Sequence, residues 1–139
     1  MERITIKDTI SASAVISVTP GYFHSNENRI DLTSFGVLYQ EVADEIFAKT
    51  NMYCGGIITP CKTLYSTHWG CPKGGENGVY ITADCNPFYD KERTVAEFIE
   101  LWKDTFVSII ELLMYKLNQT TVTVTFSDGE LVYLNNKKA

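Results

Sequence analysis

The chain has 139 residues, 45% of them hydrophobic, and a formal net charge of −5. That length suits one domain, and lets the chain bury roughly two thirds of the surface its unfolded form exposes, so folding needs neither disulfides nor a structural metal. The acidic balance, with arginine only at Arg3, Arg29 and Arg93, excludes the dense basic face of a duplex-binding protein, and no apolar run approaches the roughly 18 residues of a membrane span.

In chain order, "RITIKDTISASAVISVT" reads as two short strands. Ile4 and Ile6 alternate with polar residues in the first, and the second ends before Pro20. The polar loop "GYFHSNENRID" follows. Asp31 or Thr33 then caps a helix whose apolar set, Phe35, Leu38, Tyr39, Val42, Ala43, Ile46 and Phe47, lies on one face. This helix ends near Thr50–Asn51. "MYCGGIITPCKTLYSTHW" is β-like, with Gly55, Gly56 and Pro60 marking bulges or breaks, and "GVYITADC" is a further strand.

Thr94-Val95-Ala96-Glu97 matches a capping box, which starts a second helix running from about Val95 to Leu117. Its second half is apolar almost all round, so it must be buried on more than one side. The expected partner is a second copy of the chain, contacted through Val107, Leu112, Met114 and Tyr115; the alternative is a helix sandwiched between the sheet and the first helix. "TVTVTF", the Asp128–Gly129 turn and "LVYL" close the chain as a hairpin. The order β-β-α-β-β-α-β-β predicts a single α+β domain over 1–139: a largely antiparallel sheet of about six strands with two helices on one face.

Candidate sites fall in three loops. "STHWGCPKGGENG" offers Trp69 for stacking, His68 and Asn77 for polar contacts, Lys73 for charge, and Gly74 and Gly75 amides for an anion; alternatively it is a plain surface connection. "PGYFHSNENR" holds Phe23, His24 and Arg29, whose guanidinium suits a phosphate, or it is a solvated β-to-α link. "NPFYDKER" places Phe88 and Arg93 at a helix N-terminus, or serves as a staple for that helix.

Catalytic signatures are sparse. His68 and Cys71, with Cys61, Asp84, Cys85 or His24, have no pair-plus-pair metal spacing. Cys71 with His68 lacks the surroundings of an activated nucleophile. Asp84, Glu76 and His68 could do acid/base work only if folding brings them together. No catalytic residue, metal or cofactor is therefore assigned. The four cysteines contain no C-x-x-C pair and suit a reduced, cytoplasmic protein, and Cys54 and Cys85 read as core residues.

In size, layout and loop character over the full chain, the sequence resembles phage-encoded proteins that sequester nucleotide-derived immune signals, the anti-Thoeris sponges. No motif residue is aligned to them. The resemblance implies an oligomer in the host cytoplasm that binds a cyclic ADP-ribose-like ligand without cleaving it. The expected function is thus non-catalytic sequestration of a small nucleotide-derived ligand, without duplex nucleic acid or membrane. The rivals are a small oligomeric α+β enzyme of tautomerase or pterin-processing type, and a protein–protein inhibitor using the second helix. No proline follows the initiator methionine, which removes the tautomerase base.

Overall fold

The computed structural model describes residues 1–18 and 31–136. Its helices begin where the sequence supplies caps. Asp31 accepts from the Ser34 amide and starts α1, Leu32–Thr50, which Asn51 ends in a left-handed conformation. Thr94 Oγ1 accepts from the Glu97 amide at 3.2 Å and donates to the Glu97 carboxylate at 2.9 Å, which starts α2, Val95–Leu117.

Five strands, β1 (Ser11–Ser17), β2 (Ile57–Thr63), β3 (Glu76–Asp84), β4 (Thr121–Phe126) and β5 (Leu131–Asn135), form one antiparallel sheet in the order β2-β3-β1-β4-β5. β1 is central because it alternates small polar and apolar residues, burying Ala12, Ala14 and Ile16 on one face only. β2 is an edge strand and carries Pro60 opposite Val79, the sheet position that tolerates a residue without an amide donor.

The expected architecture of two helices against a largely antiparallel sheet is present, with five strands among the described residues where about six were expected. Residues 4–6 form no strand. Asp8 adopts φ 61° and turns the chain, so continuous pairing with β3 stops at Ile10, whose carbonyl accepts from the Cys85 amide at 2.9 Å.

Both helices pack on the face formed by Ile16, Ile81 and Val124. Phe106, Ile109, Ile110 and Leu113 of α2 are fully buried there, each contributing about 1.5–3 kcal/mol through apolar burial. Trp102 stacks on Phe106 at 6.0 Å, and Phe106 meets Phe126 edge-on at 6.4 Å. Lys103, itself buried, reaches from α2 to Asp128 (2.8 Å) and Glu130 (3.3 Å) in the β4–β5 turn.

The apolar girth of α2 is satisfied within the chain. Met114 is buried in the core, Val107 and Leu112 pack against it partly buried, and of the four expected contact residues Tyr115 alone is largely exposed. The sandwich alternative therefore explains this helix, and the expected subunit contact through it loses its basis. No helix among the described residues is long and apolar enough to cross a membrane.

Candidate active site

No helix among the described residues covers the other face of the sheet, and its residue types follow from strand alternation. Ser13, Val15 and Ser17 of β1 and Thr121, Thr123 and Thr125 of β4 point to this side, as do Glu76 and Tyr80 of β3. With Thr63 and Tyr65 at the end of β2 they line a groove of about 690 Å³. Its walls are mostly hydroxyl groups, two of which pair across strands: Ser13 Oγ and Thr125 Oγ1 lie 2.8 Å apart.

Glu76 is the only lining residue among those described that carries a formal charge at neutral pH. It opens β3 and is held at both oxygens. Ser17 Oγ donates to Oε2 at 3.0 Å and the Tyr65 phenol points at Oε1 from 3.4 Å. Partial desolvation and the adjacent Glu76 charge push the Tyr65 phenol above its ordinary value, so it remains a donor. Gly78 keeps the floor between Glu76 and Tyr80 low: a Cβ there would lie 2.9 Å from the Ile16 carbonyl oxygen and 3.4 Å from Val15. The arrangement can hold a small cation beside many neutral hydrogen-bonding groups.

A second cleft, of about 670 Å³, lies at the other end of β3. Asn51, Tyr53, Asp84, Asp90, Glu92, Arg93 and Trp102 are among its walls. Asp90 and Arg93 engage each other there, while the carboxylates of Asp84 and Glu92 make no side-chain hydrogen bond or ion pair among the described residues. Asp90 accepts from the amides of Glu92 (2.9 Å) and Arg93 (3.1 Å) and pairs with the Arg93 guanidinium. Hydrogen bonds from the Glu92 amide and the Arg93 guanidinium hold its carboxyl below the usual carboxylate range.

The sequence candidates are scattered. Phe23, His24 and Arg29 lie outside the described residues. His68 and Trp69 sit exposed on a 3-10 turn, Thr67–Trp69; Lys73 and Gly74 are exposed beyond it, Gly75 is buried, and Asn77 is in β3. Phe88 stands 6.2 Å edge-on from Tyr89, with Lys91 Nζ 5.4 Å from its ring centre, and Arg93 is committed to Asp90. The described ones form no single pocket. Glu76 and Asp84 occupy opposite ends of β3, roughly 26 Å apart at strand rise, so the meeting that acid/base work by Asp84, Glu76 and His68 would require does not occur.

Cys71 directs its thiol at the carbonyls of Pro72 (3.4 Å) and Thr63 (3.8 Å), and His68 makes no bond to it. No three His, Cys, Asp or Glu residues among those described gather as a metal site. Burial pushes the Cys54 thiol well up and that of Cys85 up to about 11, so both stay protonated in the core. Sequence reasoning weighed Glu76 but left it unassigned. What marks it is its place on the open face, two residues before the glycine that pairs with Ser17 of β1, a juxtaposition that only strand register creates.

A family model described as SAM lyase matches residues 5–135. No curated protein matches the sequence significantly. Among solved structures, a phage SAM lyase in complex with S-methyl-5′-thioadenosine aligns with TM-score 0.61 and 15% identity, covering 100% of this chain and 98% of that one. A phage SAM lyase in the apo state aligns with TM-score 0.60 and 14% identity over the same shares. The family is one of enzymes, and this overturns the expectation of non-catalytic sequestration. What stands of the resemblance to the sponges is coarser: the structural neighbours are phage proteins, and one holds a small nucleoside-derived molecule.

Proposed function

The chain belongs to the SAM lyase family, and on that premise we propose that it cleaves S-adenosylmethionine in the groove around Glu76. The family match supports the reaction. Glu76, the one charged side chain among the described residues that line the groove, is held by Ser17 and Tyr65 and supports the place.

The substrate carries a sulfonium, an ammonium and a carboxylate, so its net charge is positive and a lone carboxylate attracts it. Release of the methylthioadenosine part breaks the bond between sulfur and the γ-carbon of the amino-acid chain. Sulfur keeps the electron pair and leaves as a neutral thioether. A lyase adds no water, so the four-carbon fragment must satisfy its γ-carbon from within. The substrate's own carboxylate does this by attacking that carbon and closing a five-membered lactone. No proton is gained or lost, and opposite charges cancel as the bond forms.

The protein's task is then positioning. Glu76 grips the ammonium and folds the chain back towards its γ-carbon. Ser17 and Tyr65 hold the Glu76 carboxylate in place, and the Ser and Thr hydroxyls receive the sugar. The reading includes self-association through the open sheet face. Supporting it are Ile57, Tyr80, Leu131 and Tyr133, apolar and exposed on that face, and a groove that a second copy would cover.

The test is incubation of the purified protein with S-adenosylmethionine alone, followed by mass spectrometry. Methylthioadenosine appearing one-for-one with the substrate lost, alongside a lactone or its ring-opened hydrolysis product, is the expected result. Recovery of intact substrate would sink the proposal. Native mass spectrometry of the same sample reads the assembly.

A further inference from the structure

An adenosyl substrate brings a purine, whose flat face gains most from an aromatic partner. Two aromatic rings line the Glu76 groove, those of Tyr65 and Tyr80. Tyr65 is engaged at the charged end, where its phenol points at Glu76 from 3.4 Å. Tyr80 is different: its side chain makes no hydrogen bond or ring contact among the described residues, and it is 40% exposed.

Its position follows from register. Glu76, Gly78 and Tyr80 share one face of β3. Four residues at strand rise put Tyr80 roughly 13 Å along the strand from Glu76, a span of the same order as the reach of S-adenosylmethionine from its ammonium to its purine. Gly78 stands between them and contributes no side chain. A Cβ there would meet Val15 at 3.4 Å and Cys61 at 3.5 Å, so glycine leaves the path from carboxylate to ring clear. Tyr80 also pairs directly with Val15 of β1, which lines the groove too. Side chains opposite each other on one face of an antiparallel pair lie close enough to interact. Ring and valine methyls together make an apolar end in a groove walled mostly by hydroxyls, and a base resting there would cover apolar area now left to water.

Resting on the function proposed above, we propose that Tyr80, with Val15 beside it, stacks on the adenine of the substrate and supplies the affinity for its base. Glu76 takes the amino-acid end and Tyr80 the base end of a substrate laid along β3.

The probe is S-methyl-5′-thioadenosine, titrated by calorimetry into wild type, Tyr80→Leu and Tyr80→Phe. Leucine keeps apolar bulk and removes the flat ring; phenylalanine keeps the ring and removes the hydroxyl. Expected is affinity weakened about tenfold in Tyr80→Leu and within about threefold of wild type in Tyr80→Phe. KM for S-adenosylmethionine should rise about tenfold in Tyr80→Leu while kcat stays within about twofold, the pattern of lost uniform binding. Melting temperature and native mass spectrometry, both unchanged, certify fold and assembly in the variants. Probe binding of equal strength in wild type and Tyr80→Leu, equal losses in the two variants, or a wild type that cleaves substrate without binding the probe overturns this role while leaving the proposed reaction standing. A Tyr80→Leu protein that loses its fold or assembly together with its affinity, while Tyr80→Phe keeps all three, assigns the ring to packing and overturns the role as well. Absence of both probe binding and substrate cleavage in the wild type overturns the proposed reaction and this role together.

Discussion

The two clefts at opposite ends of β3 have nearly the same volume, about 690 and 670 Å³, and opposite electrostatic economies. At the Asp84 end, the 86–93 loop consumes its own charges: Asp90 takes Arg93 and two amides, and Lys91 lies over Phe88. At the Glu76 end, one carboxylate is steadied by two neutral hydroxyls and faces no cation among the described residues. Size does not distinguish a site from a crevice here. What differs is the company of a carboxylate in each: Asp90 pairs with a guanidinium, whereas Glu76 is met by two neutral hydroxyls.

The sharpest way to break this comparison is to remove charge at each end in turn. Glu76→Gln keeps the shape and should lower kcat/KM for S-adenosylmethionine at least about a hundredfold with little change in melting temperature. Asp84→Asn should leave kcat/KM within about twofold. Equal losses at both ends, read by methylthioadenosine formation, would dissolve the distinction.

A smaller effect separates scaffold from site. Thr94→Ala removes the cap that ties the 86–93 loop to α2, and should cost about 1 kcal/mol in urea unfolding while leaving kcat/KM unchanged.

The smallest concerns pH. The hydrogen bond from Lys103 holds the Asp128 carboxyl below its ordinary 3.8. The folded-state value lies below the unfolded one, so this contribution is complete above about pH 4 and is lost as pH falls through the folded value. Urea midpoints measured from pH 7 to pH 2 should therefore fall less steeply at the acid end in Asp128→Asn than in the wild type. Parallel curves would deny the clamp any role.

Much of the fold was legible because its signals are local. Thr94 with Glu97, Asp31 with Ser34, and Asp128–Gly129 each fix a boundary through bonds made within four residues. Misreadings arose where a backbone turn or a distant partner overrides the pattern. Ile4 and Ile6 alternate like a strand, but Asp8 turns the chain and ends the pairing. Met114 looked surplus on a helical wheel, and α1 and the sheet account for it. The candidate site was least legible because its parts come from residues 17, 65 and 76, joined by folding rather than spacing. "STHWGCPKGGENG" drew notice for its glycines and lysine, yet the residue inside it that ends up in the groove is the glutamate.

Pro60 carries a consequence beyond its own strand. It sits mid-way along one outer margin of the sheet and has no amide to offer a newcomer there. The other margin, β5, has no proline. Strand addition between copies is thus confined to one side, and two β5 margins meeting antiparallel would use each other up. A single imino acid in this way makes the sheet a poor template for fibres, because only one margin can take up a further strand.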